Sequence, residues 1–303
     1  MSSLSEITRL APWFVPALVF LLGACLGSFL NVCIHRLPRG ESVVTPGSHC
    51  ACGQPLAWHD NLPVLGWFLL RGRARCCGRP FSFRYPLIEL LTAVLCTLSW
   101  QLFPAGPAVG GMVLVLLVLG ATFIDLDHLI IPDICSIGGA VGGVLLSLWL
   151  PALHGISSDY FFLASLRSGL ASVLGVLVGS GLILWISLLA EAVLKKEALG
   201  FGDVKFLGAL GAFLGWKGAV FSLFGGAVLG CGWVAWLALE LKVTGRRAWL
   251  APKIETPEGE PTDRVGFGVR VSFGPMLGAA ALCYFFFLRS RVDAYFDHLW
   301  FLF

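Results

Sequence analysis

Hydrophobic residues in this chain run in long uninterrupted stretches separated by short polar breaks. A helix needs about 17 to 25 apolar residues to cross a hydrocarbon core of about 30 Å, and windows of that kind fall near residues 12–34, 87–103, 108–124, 131–150, 166–190, 204–216, 219–241 and 273–288. The pattern predicts an all-α polytopic membrane protein with about eight transmembrane helices. The window 204–216 is the weakest, being short and carrying Gly208, Gly211 and Gly215, small residues of the kind that let helices pack closely in lipid. The first run, Trp13 to Ile34, is longer than a signal-peptide core and has neither a basic start nor a small-residue cleavage site, so it reads as a retained helix.

Composition agrees: 57% of residues are hydrophobic, 13% are charged and the mean hydropathy is +0.84, more apolar surface than a soluble fold buries. The net charge is only +3, which gives no reason to expect a nucleic-acid partner, but the basic residues are unevenly placed. With the N-terminus outside, the loops 35–86, 125–130, 191–203 and 242–272, together with Lys205, hold 16 of the 21 Lys and Arg. That asymmetry places those loops on the cytoplasmic side of the membrane. The predicted organisation is a first transmembrane helix over 1–34, a small cysteine-containing cytoplasmic domain over 35–86, a transmembrane core over 87–290 and a tail over 291–303. The loop 242–272, rich in Glu and Pro, reads as a solvated flexible linker.

Two carboxylates stand where an apolar run meets this cytoplasmic face. Asp125 ends the run Val113 to Ile124, and Asp203 precedes the run Val204 to Phe213. Helix packing that joins them would give a pair sharing one proton, hence one base and one acid able to activate water against a peptide bond. The alternative is that both are solvated helix ends, with Asp203 capping the helix that follows it. Position alone leaves these readings open.

The local sequences are more specific. Gly200-Phe201-Gly202-Asp203-Val204-Lys205 is a GxGD motif, and Asp125 sits in Ile124-Asp125-Leu126-Asp127 ahead of Ile131-Pro132-Asp133. Further blocks are Gly27-Ser28-Phe29-Leu30-Asn31-Val32, Trp58-His59-Asp60-Asn61-Leu62-Pro63, Arg84-Tyr85-Pro86-Leu87-Ile88-Glu89 and Phe273-Gly274-Pro275. In this order they resemble the bacterial type IV prepilin peptidases of the GxGD aspartyl protease class. The resemblance implies Asp125 and Asp203 as catalytic residues, with Gly200, Gly202, Lys205, Asp127 and Asp133 supporting them or facing substrate. It also implies prepilin or type II secretion pseudopilin substrates, embedded in membrane lipid, whose basic leaders are removed on the cytoplasmic side. Many members then methylate the new N-terminus with S-adenosylmethionine, although this chain shows no glycine-rich fold for that donor. Lys205 lies near enough to act on a carboxylate or on substrate carbonyls, or else it is a lysine snorkelling to the interface.

Members with a cytoplasmic domain usually carry two C-x-x-C pairs suited to one zinc. Here the matching positions fall on His49, Cys52, Ala74 and Cys77, with Cys50 and Cys76 beside them. Four thiols in a reducing compartment favour metal over disulfides, so a structural zinc held by Cys50, Cys52, Cys77 and either Cys76 or His49 is expected. The remaining six cysteines, Cys25, Cys33, Cys96, Cys135, Cys231 and Cys283, read as core residues. A transporter is the competing class, and it would call for charges deep within spans; no feature of the sequence encodes an oligomeric state.

Overall fold

The computed structural model describes residues 11–50, 52–195, 200–244, 254–255 and 270–300. Apart from two strands of two residues each, its regular structure is helical. The chain divides into two compact units, one ending at Gly120 and the other beginning at Ala121.

In the first unit, helix α1 (Phe14–Arg36) packs on α3 (Arg84–Leu102). Gly23 and Gly27, one turn apart, make this possible: a Cβ on Gly23 would come within 2.8 Å of the Ala93 Cα, and one on Gly27 within 2.7 Å of the Glu89 Cα. The backbones therefore nearly touch, which is how helices gain dispersion contacts when lipid offers no hydrophobic drive to associate. The segment between them contains the short helix α2 (Leu65–Leu69) and two tight loops. Three polar anchors hold it. The buried Arg36 donates to the carbonyls of Ser42 and Gly47, Trp67 Nε1 donates to the Phe81 carbonyl at 3.1 Å, and Arg75 forks onto Asp60 at 2.8 and 3.1 Å. The hydrogen bonds from Arg75, with its charge, hold the Asp60 carboxyl below the usual carboxylate range. Helix α4 (Ala105–His128) follows α3 and runs on past Gly120.

The second unit is built around α7 (Phe201–Thr244), packed against α5 (Asp133–Trp149), α6 (Phe161–Leu194) and α8 (Gly274–Cys283). Gly215, at φ 73° and ψ 177°, breaks α7 into two arms, a left-handed conformation that suits glycine. The weak window 204–216 turns out to be the best enclosed stretch of this unit. Phe206, Leu207, Ala209, Leu210 and Ala212 are fully buried, and the glycines predicted to pack closely do so. A Cβ on Gly211 would lie 2.1 Å from the Gly175 carbonyl oxygen, and one on Gly175 2.0 Å from that of Gly211. Buried hydroxyls add hydrogen bonds between helices, Ser172 to the Ala212 carbonyl at 2.7 Å and Ser165 to that of Leu148 at 2.6 Å. After α8 a π-helical turn, Tyr284–Leu288, leads into α9 (Arg289–Trp300). There Arg289 donates to the Leu153 carbonyl at 2.8 Å and Lys217 pairs with Asp297 at 2.5 Å.

All eight apolar windows fall on helix. Among the described residues, five helices are long and apolar enough to span a membrane, counting α7 once across its break, and α5 is apolar but shorter. The expectation that six cysteines are core holds only for Cys96; Cys25, Cys231 and Cys283 are exposed on their helices, where lipid is as acceptable to a thiol as a protein core. Most of the predicted linker 242–272, and the end of the tail beyond Trp300, lie outside the described residues. The described part of the linker departs from a free loop, because β1 (Ile254–Glu255) pairs antiparallel with β2 (Arg270–Val271).

The contact at Gly175 and Gly211 makes a stability prediction. Gly175→Ala should destabilise the folded protein by about 1–3 kcal/mol, since an added methyl meets backbone that cannot move aside alone. Gly181→Ala on the same helix meets nothing within 4 Å and should be neutral or slightly stabilising. Thermal unfolding midpoints in detergent check the pair, and equal midpoints would mean that the helices do not meet at Gly175.

Candidate active site

Asp125 lies on the last turn of α4, which continues to His128 instead of ending with the apolar run. Leu129 then takes a left-handed conformation, φ 54°, and its amide closes on the Asp125 carbonyl at 2.9 Å. This stops the helix and turns Ile131 inward, where it is buried. Asp125 itself is only 5% exposed. Its Oδ2 accepts a hydrogen bond from the Ser272 hydroxyl at 2.6 Å and another from the Gly274 backbone amide at 3.0 Å. Gly274 begins α8, so its amide belongs to the set that a helix N-terminus leaves free for an anion. A side chain at position 274 would collide with that carboxylate, its Cβ 2.8 Å from Oδ2.

Asp203 is the third residue of α7 and does not precede the helix as the sequence suggested, because the helix already starts at Phe201. From there its carboxylate takes a hydrogen bond from the Gly200 backbone amide, the acidic half of a capping box. Ile131 links the two aspartate sites. A Cβ on Gly202 would lie 3.5 Å from the Ile131 Cβ, and one on Gly274 3.0 Å from the Ile131 Cδ1. Asp125 and Asp203 are near enough for the charge on one to act on the other. Capping the start of α7 and standing within range of the Asp125 charge are therefore compatible for Asp203.

The flanking residues divide. Lys205 pairs with Asp133 at 2.6 Å and lies over the Phe201 ring at 5.3 Å, so its charge is directed to Asp133, which is 65% exposed at its side chain. Asp127 is half-buried two residues beyond Asp125. Gly200 and Gly202 frame the start of α7; the first donates to Asp203 and the second leaves room for Ile131. Sequence reasoning missed Ser272 and Ile131. Ser272 had a usable signal, being a small polar residue two positions before a helix with proline in its first turn; Ile131 had none, since an apolar residue beside a span looks like any other.

In the first unit, Cys50, Cys52, Cys76 and Cys77 bring their sulfurs within 4.8 Å of one another. Cys50 and Cys77 are 3.5 Å apart and Cys52 and Cys76 are 3.4 Å apart. Each pair of cysteines sits on a tight loop closed by a left-handed glycine, Gly53 at φ 85° and Gly78 at φ 68°. The Gly53 amide donates to the Cys50 carbonyl and the Gly78 amide to that of Ala74, each at 2.8 Å. Adjacent Cys76 and Cys77 both reach the cluster, because the second loop folds back on itself. His49 turns its Nδ1 to the Gly47 carbonyl at 3.0 Å. A hydrogen bond from the Cys52 backbone, helped by neighbouring thiols, brings Cys50 down to about 7, so a thiolate is available near neutral pH to begin metal capture. The cluster can hold a metal ion. Beside it, a cavity of about 420 Å³ is lined by Asn31, Trp67, Tyr85 and Glu89 among others. Glu89 Oε2 accepts the Val64 amide at 2.6 Å, and its carboxylate also engages Ser28 and Asn31, with no cation paired to it among the described residues.

Comparisons with known proteins agree across the chain. Residues 21–103 match the family model of the bacterial peptidase A24 N-terminal domain, and residues 112–235 match that of the type IV leader peptidase family. A prepilin leader peptidase/N-methyltransferase of Klebsiella pneumoniae is 40% identical over 223 residues, covering 71% of this chain and 91% of that protein. One of Myxococcus xanthus is 39% identical, covering 80% and 67% respectively, and one of Xanthomonas campestris is 31% identical, covering 90% and 92%. No solved structure gives a significant match. With both halves of the family architecture present and relatives matched over most of their length, this membrane protein belongs to the type IV leader peptidase family.

Proposed function

We propose that the protein is an intramembrane aspartyl endopeptidase that removes the basic leader from type IV prepilins or type II secretion pseudopilins and then N-methylates the new N-terminus. The observation that supports this reading is that Asp125 and Asp203, at the ends of two helices, stand within range of each other's charge. Two carboxyls so placed hold one proton between them more easily than they both ionise. The ionised member takes a proton from water as that water attacks the scissile carbonyl, and the protonated member donates to the carbonyl oxygen. The distribution of Lys and Arg supports a substrate that enters with its leader on the cytoplasmic side, its apolar helix lying in membrane lipid beside the spans.

Zinc suits the cysteine cluster. Four thiolates at about 2.3 Å from a tetrahedral ion stand about 3.8 Å from one another, and the observed separations of 3.4 to 4.8 Å surround that value. Such a site has no open position for water, so the metal acts as a staple for a segment with little apolar core of its own. S-adenosylmethionine, the expected methyl donor, carries a sulfonium cation. The cavity near the cluster falls within the usual size of small-molecule sites, about 300–1,000 Å³, and Glu89 offers it a carboxylate with no cation of its own.

Two outcomes test these assignments. Asp125→Asn and Asp203→Asn should each reduce leader cleavage by roughly 10²- to 10⁴-fold while leaving methylation of an already processed pilin intact, and Asp127→Asn should be much milder. Cleavage and transfer of labelled methyl groups, scored separately on purified enzyme, check this; full cleavage by either single variant would end the pairing. Elemental analysis should find about one zinc per chain, as a closed tetrathiolate site requires, lost when Cys52→Ser and Cys77→Ser are combined. A wild-type protein free of metal would contradict the staple.

A further inference from the structure

The carboxylate of Asp125 is held asymmetrically. Both of its donors, the Ser272 hydroxyl at 2.6 Å and the Gly274 amide at 3.0 Å, meet the same oxygen, Oδ2. A backbone amide can only donate, so Oδ2 is committed as an acceptor. That leaves Oδ1 as the oxygen able to receive a proton. Asp203 takes one amide, from Gly200, and no hydroxyl donates to it among the described residues. Each carboxylate thus has a helix N-terminal amide, and what separates them is Ser272, which is 3% exposed and held between β2 and α8.

Resting on the assignment of the aspartate pair above, we propose that Ser272 is a positioning residue that makes Asp125 the ionised, water-activating member, leaving the shared proton on Asp203. Hydrogen bonds to a charged acceptor are worth about twice those to a neutral one, so a second donor on Oδ2 favours the charge on Asp125. The same two bonds fix the plane of the carboxyl and aim Oδ1 at the water. In the attack, Oδ1 accepts a proton from water as the oxygen–carbon bond forms. Asp203 gives its proton to the carbonyl oxygen as the double bond opens; on collapse Asp125 passes its proton to the departing amine nitrogen as the C–N bond breaks, and Asp203 takes back a proton from a hydroxyl of the diol as the carbonyl re-forms.

The ionisable surroundings are few. Asp203 faces Asp125 from α7; Lys205 on the same helix is paired with Asp133; Asp127 and His128 lie on α4 itself. From Gly274 to Leu288 no residue carries a charge, and the side chain of Arg270, before Ser272, lies outside the described residues. Among the described residues, Asp203 is thus the one placed to take over the charge when the hydroxyl is removed.

The test is Ser272→Ala in the full-length enzyme, with leader cleavage followed across pH and methylation of a processed pilin as the check on folding. The expected result is a fall in kcat of about 10- to 100-fold, the loss of one hydrogen bond to a charged group, with KM little changed. The acidic limb of the kcat/KM profile should move to higher pH, because the ionised base has lost a donor. Unchanged kcat would overturn the proposal, and so would a lowered kcat with an unmoved acidic limb, which is the mark of a packing role. Failure of the pairing itself would show separately, as activity in Asp125→Asn.

Discussion

Where Gly175 and Gly211 meet, two helix backbones touch with no side chain between them. The remainder of the second unit depends on that approach. It lets the first arm of α7 sit wholly inside the helices around it, which is why a stretch too short and too glycine-rich to look like a good span is so well buried. It also sets how α7 lies against α6, and with it the position of Asp203 on the first turn of α7. Lipid cannot satisfy a backbone amide or a carboxylate, so a polar site at the end of an enclosed helix has to be furnished from the protein. The free amides of Gly200 and Gly274 and the hydroxyl of Ser272 do so.

The sequence conveyed the architecture through run length. The eight apolar windows all fall on helix, because apolar runs long enough to approach a hydrocarbon slab favour helix. The aspartates were visible because charge at the edge of an apolar run is rare. The precise start of α7 was not visible: Asp203 looks like a cap in sequence and is instead the third helical residue reaching back to Gly200, a difference that only the φ, ψ values of Phe201 and Gly202 decide. Ser272 and Ile131 were hidden for another reason. A helix-start signal marks Ser272 but not its partner 147 residues away, and Ile131 depends on a turn whose direction rests on a single left-handed Leu129; no local periodicity records such contacts.

The cysteine loops make a similar point about spacing. Alignment to the usual C-x-x-C pattern leaves two of four positions without a thiol, yet the four sulfurs converge. A left-handed glycine follows each pair, Gly53 and Gly78, and turns the loop so that both of its sulfurs reach the cluster. The spacing is a proxy for loop geometry, and here the geometry survives a change in the proxy.

The central claim is that Asp125 and Asp203 act as one unit. Kinetics of the double variant Asp125→Asn with Asp203→Asn, set beside the two single variants, test it most directly. Residues that work together lose their function at the first removal, so the double variant should cleave no more slowly than the slower single one. If the two losses multiply instead, each aspartate contributes independently and the pair described here is not the catalytic unit.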